Sequence, residues 1–134
     1  MFGSMMSNDT IKLFCFAVGF RSSFSVEIKG DKSVDDLKEA IWEKNKTVMK
    51  GIDALQLSLW KVNISSDKNL QDEGRAFLER ARAAGSKPLD PTRQISEYFD
   101  SSYWNETPKF GTIHVLVEIN AGAGESLHLF QCNG

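Results

Sequence analysis

The run Asp53-Ala-Leu-Gln-Leu-Ser-Leu-Trp-Lys-Val-Asn-Ile64 constrains the fold of this chain more than any other stretch. Leu55, Leu57 and Leu59 alternate with Gln56, Ser58 and Trp60, the two-residue period of a strand with one face in a core. At Lys61 the phase slips, and Trp60, Val62 and Ile64 take over the apolar positions. A strand that changes its apolar face partway does so through a bulge, or because both faces are covered. The pattern predicts a central strand buried on both sides, with Lys61 near the end of its tightest part.

Such a strand needs neighbours, and the chain supplies them in order. Thr10 to Val18 is short and almost continuously apolar, as in a strand covered on both faces. Gly19 to Ser23 supplies turn chemistry, after which Phe24, Val26 and Ile28 alternate with Ser25, Glu27 and Lys29. The two segments predict an antiparallel hairpin ending at Gly30-Asp31-Lys32. Ser33 with Asp36 forms a capping pair, and Val34, Leu37 and Ile41 make one helical stripe, so a helix is expected from Val34 to Asn45. After a polar loop, Leu70, Phe77, Leu78 and Ala81 repeat at helical spacing up to Ala84, with Gly85 as cap and Pro88 as stop. Gly74 in its middle costs about 1 kcal/mol and predicts a weak or late-starting helix. Asp90-Pro91 opens a short turn carrying Ile95, Tyr98 and Phe99 inward, Asp100 to Phe110 reads as aromatic loop, and Gly111 to Ile119 is a strongly apolar last strand.

The order is strand, strand, helix, strand, helical insertion, turn, strand, with the first and last strands greasiest and therefore central and adjacent. This predicts an α+β, ubiquitin-like β-grasp: a mixed sheet of four to five strands packed on one main helix, with a helical insertion before the last strand. One domain is expected over 10–120. It lies between a disordered stretch at 1–9, of the kind left by cloning, and a loose glycine-containing tail at 121–134.

Composition narrows the function classes. With 134 residues, net charge −2 and no basic block, the chain offers no charge-based grip on nucleic acid or an anionic membrane. No apolar run reaches the ~18 residues of a membrane span. Cys15 and Cys132 lie far apart, in a strand pattern and in the tail, and read as two free thiols. The first six residues lack a charged n-region and an apolar core, so they do not read as a signal peptide.

Several segments resemble the N-terminal header domain of the Crinkler effectors of oomycetes and fungi. The likeness runs through Ile11-Lys-Leu-Phe-Cys-Phe-Ala-Val-Gly19, Phe24-Ser-Val-Glu-Ile28 and Ser33-Val-Asp-Asp-Leu-Lys-Glu-Ala-Ile41. In the oomycete Leu-Phe-Leu-Ala-Lys motif, Leu57, Leu59 and Lys61 take the matching places, while Ser58 and Trp60 replace Phe and Ala, as in a fungal-type variant. His114-Val-Leu-Val117 resembles the closing His-Val-Leu-Val-x-x-Pro, with Asn120 in place of the proline, and Ile95 to Phe99 resembles the turn before it. The resemblance implies the N-terminal domain of a secreted effector, serving secretion, entry into host cells (cytoplasm or nucleus) and protein–protein interaction, with toxic or regulatory activity in variable C-terminal domains. It nominates Leu57, Leu59, Trp60, Lys61, His114, Val115, Leu116 and Val117 as motif residues.

The residues themselves nominate no catalyst, metal site or cofactor. His114 and His128 lie outside any metal spacing, and His114 reads as an outward or hydrogen-bonded strand residue. Cys15 reads as a small core residue, and Asp35 and Asp36 as acids suited to a helix start. The chain ends Gln-Cys-Asn-Gly, without the Gly-Gly of conjugated ubiquitin-like proteins. Sequons occur at Asn8, Asn45, Asn63 and Asn105, in mild tension with a secretory route. Trp60, Tyr103 and Trp104 are the candidate partner surface, and an exposed edge strand or the aromatic loop is the expected recognition element. Partners are host or self proteins, and the greasy surface at those three rings motivates a homodimer. Two alternatives stay open: an intracellular ubiquitin-like adaptor without a delivery role, and a small enzyme.

Overall fold

The computed structural model describes residues 10–120. The expectations for 1–9 and 121–134, with Cys132 and His128, lie outside the described residues. Strands β1 (Thr10–Ala17) and β2 (Phe24–Lys29) form the antiparallel hairpin, pairing Leu13 with Val26 and Cys15 with Phe24. Gly19 makes the turn at φ 104°, a backbone state that costs glycine nothing. Helix α1 (Val34–Lys44) starts at a complete capping box, with the Ser33 hydroxyl accepting from Asp36 N–H and the Asp36 carboxylate accepting from Ser33 N–H. Its buried stripe is Val34, Leu37 and Ile41, each worth roughly 1.5–3 kcal/mol as apolar burial.

A short 3₁₀ turn (Ala54–Gln56) leads into β3 (Leu57–Ser65), which lies antiparallel to β4 (Thr112–Ile119). β4 in turn runs parallel to β1, pairing Val115, Leu116 and Val117 with Cys15, Phe16 and Ala17. The strand order is β2-β1-β4-β3, so the greasiest strands are indeed central and adjacent. A hairpin, a helix crossing the sheet, and a last strand returning parallel to the first make this a ubiquitin-like β-grasp of four strands.

Both faces of the sheet are covered. On one, α1 packs on Leu13, Cys15, Ala17, Leu57, Leu59, Val115 and Val117. On the other, α2 (Leu70–Ala83) lays Leu78 and Ala81 on Phe16, Trp60, Val62, Ile113 and Leu116. Asn69 caps its start, and at its end Gly85 N–H and Ser86 N–H bond to the Arg82 and Ala81 carbonyls, a Schellman closure made by Gly85 at φ 75°. The helix runs intact through Gly74. A Cβ there would stand 3.1 Å from both the Leu116 and Val18 side chains, so the glycine lets the helix approach the sheet.

Three expectations need correction. β3 is an edge strand rather than a central one. Its two-sided apolar pattern is satisfied because α1 and α2 cover its faces, and its outer rim is covered by the chain that follows α2: Leu89 N–H bonds the Leu59 carbonyl at 2.7 Å. β2, at the opposite rim, has no further partner strand among the described residues. Leu55 belongs to the 3₁₀ turn and is 78% exposed, so the buried alternation starts at Leu57. The stretch Asp100 to Phe110 is not all loop. It contains α4 (Ser101–Glu106), capped by the Asp100 carboxylate accepting from Tyr103 N–H at 3.0 Å, after the short turn α3 (Ile95–Tyr98) that buries Ile95 and Phe99. The phase slip at Lys61 is a bulge: the β3–β4 register shifts between Lys61 and Ile64.

The close approach at Gly74 yields a prediction. Gly74→Val should destabilise the fold by about 1–3 kcal/mol through overpacking. Gly74→Ala should fall within about 1 kcal/mol of the parent, because the helix-propensity gain offsets the small shift asked of Leu116 and Val18. Urea unfolding monitored by circular dichroism distinguishes the two.

Candidate functional site

The motif residues sort by the sheet's geometry. Leu57 and Leu59 point into the layer under α1, and Trp60 points the other way, against Phe77 at 5.9 Å between ring centroids. The Trp60 indole N–H donates to the Glu118 carboxylate at 3.2 Å, and Arg82 pairs with the same carboxylate. Val115, Leu116 and Val117 are buried in β4. Lys61, at the bulge, is exposed; its ammonium donates to the Tyr98 carbonyl at 3.2 Å and tethers the α3–α4 segment to β3. Four of these residues fill the core under α1, two fill the layer under α2, and Lys61 is the one that meets solvent.

His114 is fully buried. Phe14 N–H donates to its Nδ1 at 3.1 Å, so Nδ1 carries no proton and Nε2–H donates to the Pro108 carbonyl at 2.9 Å. Burial holds the imidazole below its ordinary range, against a smaller opposing effect of the Pro108 bond. The side chain thus substitutes for a strand. The parallel β1–β4 ladder begins at Cys15 and Val115, and one residue earlier the imidazole takes the Phe14 amide.

Three rings pack on this imidazole: Trp104 at 4.9 Å, Phe14 at 5.9 Å and Tyr103 at 6.1 Å. α4 brings Tyr103 and Trp104 inward at adjacent positions, with centroids 5.0 Å apart and nearly perpendicular. Their polar atoms are used by the main chain: the Tyr103 hydroxyl donates to the Val62 carbonyl at 2.6 Å, and the Trp104 indole to the Phe99 carbonyl at 3.1 Å. Burial pushes the Tyr103 phenol above its usual value.

Each of the three rings carries an ammonium group: Lys12 over Phe14 at 5.4 Å, Lys61 over Tyr103 at 5.6 Å and Lys109 over Trp104 at 5.8 Å. Such contacts contribute about 0.5–1 kcal/mol each at exposed sites. Phe110, 70% exposed, leans edge-on against Phe14 at 6.1 Å. The surface here is therefore three lysines and a phenylalanine over an aromatic interior.

This differs from the surface expected from sequence. Trp60 is 6% exposed beneath α2, and Tyr103 and Trp104 are half-buried with their polar atoms engaged. The greasy patch behind the homodimer expectation is therefore absent from these rings. Sequence reasoning missed Lys12, Phe14, Lys109 and Phe110. Its one available signal was a histidine inside the apolar run Ile113–Val117, where a polar side chain must find partners. The arrangement holds and presents; it has no nucleophile paired with a base. Among the described residues no three His, Cys, Asp or Glu side chains gather as metal ligands, and the Cys15 thiol is fully buried and pushed up by desolvation. No described helix is long and apolar enough to cross a membrane.

Comparisons with known proteins identify the family. Residues 11–118 match the Crinkler effector protein N-terminal domain. Crinkler effector protein 1 of Rhizophagus irregularis is 34% identical over 111 residues, covering 81% of this chain and 21% of that protein. Crinkler effector protein 8 of Phytophthora infestans is 33% identical over 125 residues, covering 87% and 20%. The chain spans about a fifth of the length of these relatives. Among solved structures, an Arabidopsis thaliana protein determined by NMR matches at TM-score 0.44 and 14% identity, over 83% of this chain and 87% of its own. A design based on ubiquitin matches at TM-score 0.44 and 16% identity, over 87% and 94%.

The split of the motif between core and surface is testable. Leu59→Ala should cost about 2–5 kcal/mol as a core truncation. Lys61→Ala should cost no more than about 1 kcal/mol, the scale of an exposed charged contact. Chemical denaturation of both variants gives the comparison, and a Lys61 loss equal to that of Leu59 would contradict the assignment.

Proposed function

Because this chain belongs to the Crinkler effector N-terminal domain family, we propose that it is the non-catalytic N-terminal domain of a secreted effector, serving passage into a host cell and contact with other proteins. The observation that carries this reading is one of extent. The family match takes in nearly every described residue, yet the chain spans about a fifth of its relatives, which leaves their remaining length for the activity. The chemistry of the candidate site supports the same reading. Its exposed groups, Lys12, Lys61, Lys109 and Phe110, suit recognition of a partner surface, whereas the groups that could react, Cys15 and His114, are enclosed.

In this reading the Leu57, Leu59 and Lys61 pattern divides its work. The leucines shape the domain, and Lys61 belongs to the contact surface with Lys12 and Lys109. The delivery role is carried by the folded surface and not by a linear string of letters, which accommodates Ser58 and Trp60 in place of the oomycete residues. Asn120 likewise fits this fold: its N–H donates to the Gln56 carbonyl at 2.7 Å, a bond a proline at that position cannot make.

The test is a reporter fusion. The chain, behind an appended signal peptide and ahead of a fluorescent protein, is expressed in a filamentous producer beside host cells. Reporter should accumulate inside the host cells. The triple variant Lys12→Glu, Lys61→Glu, Lys109→Glu should stay folded and lower that accumulation by about tenfold, equivalent to ~1.4 kcal/mol of lost binding. Reporter that remains in the medium with the parent domain would overturn the delivery role. Retention in the producer on a bound partner would favour the intracellular adaptor.

A further inference from the structure

We infer that His114 is an acid-released latch, closing the segment from α4 through Phe110 onto the sheet at neutral pH and letting it go when the imidazole gains a proton. The latch concerns the same surface as the proposed function and rests on that reading for its purpose, since the segment it holds presents Lys109 and Phe110.

The geometry makes the imidazole intolerant of charge. Both ring nitrogens are already committed, Nδ1 as acceptor from the β1 main chain and Nε2–H as donor to the Pro108 carbonyl. A second proton can go only on Nδ1, where it meets the Phe14 N–H head-on. Two donors then face each other, and a part-buried main-chain amide loses its acceptor, which costs the hydrogen bond. The charged groups over the rings around the imidazole are cations. β1 contributes Lys12, β3 contributes Lys61 and the loop after α4 contributes Lys109, each one aromatic ring away from the imidazole. The carboxylates of this region, Asp100 and Glu106, sit at the two ends of α4 and line the cleft by Lys61 and Tyr103. Neither is within ion-pair distance of the imidazole. Glu27 lies across from Lys12 in the β1–β2 ladder.

The direction follows from which state accepts the proton. Freed from the cluster, the imidazole titrates near 6.5, and in the closed state burial holds it lower. Above about pH 6.5 the latch contributes fully. Between that value and the lower, closed-state value the open form binds the proton that the closed form refuses, so closure weakens as pH falls. Below the closed-state value the loss levels off. What opens is the segment held by these bonds: Pro108 is released directly, and Tyr103 and Trp104 lose the ring they pack against. The anchors of α3 on the turn between β2 and α1, from Ile95 to Lys32 and from Ser96 to Gly30, do not involve the imidazole and persist.

The test uses the whole chain carrying His128→Gln, which leaves His114 as the one histidine. Protection factors from backbone hydrogen exchange, which remove the intrinsic pH dependence, are measured from pH 7.5 to 5 alongside the imidazole and Phe14 amide NMR resonances. The expected result is a fall in protection confined to residues 100–110, approaching tenfold per pH unit below 6.5, tracking a shift of the Phe14 amide. His114→Asn retains an acceptor near the Nδ1 position and should abolish the pH dependence. Protection that stays constant while the imidazole titrates would overturn the latch, as would an undiminished acid response in the variant. If the variant does not fold, the coincidence of imidazole, Phe14 and segment transitions in the parent decides alone. None of these outcomes bears on whether the domain enters host cells.

Discussion

The parallel pairing of β1 with β4 is the constraint on which the rest of the structure depends. It sets the first and last described strands side by side in the middle of the sheet, so neither can present a polar face to water. Both are largely apolar where they pair, and both faces there are roofed. α1 provides one roof and α2 the other, and β2 and β3 are displaced to the rims. Parallel strands also require a long connection between them, and here that connection is nearly the whole domain. The pairing is short, beginning where Cys15 meets Val115, and the side chain of His114 takes the Phe14 amide one residue before it. Strand pairing and the buried histidine are thus one feature seen at two scales.

Much of this was legible in the residues because periodicity reports burial directly. The hairpin, α1 with its Ser33–Asp36 box, α2 with its Gly85 closure and the apolar first and last strands all appear as patterns that local chemistry enforces. Those same patterns carried the family likeness. β3 marks the limit of that signal: Leu57 to Ile64 reads as buried on both faces, and it is, yet it lies at a rim. Periodicity reports side-chain environment and says nothing about main-chain neighbours. The Leu89 amide that seals the rim comes from a segment with no strand pattern at all.

The candidate site was less legible for a related reason. Tyr103 and Trp104 look like surface aromatics when Asp100 to Phe110 is taken as loop. Once Asp100 is recognised as a helix cap, a short helix turns both rings inward onto His114. Lys12, Lys61 and Lys109 come from two strands and a loop, far apart along the chain, and no spacing rule links them. Only the folded backbone brings their ammonium groups over neighbouring rings. The motif lysine is therefore legible as a letter, while its partners are legible only as a surface.

The unequal treatment of the two rims gives the domain a direction. One rim is closed by Leu89, by the Tyr103 hydroxyl on Val62 and by the Lys61 tether, while the row of amides and carbonyls along Phe24–Lys29 meets no neighbouring strand among the described residues. Among the described residues, that is the side on which an added strand would find unpaired amides and carbonyls. Glu27 and Lys29 give the open rim a mixed-charge margin, a feature that discourages edge-to-edge pairing.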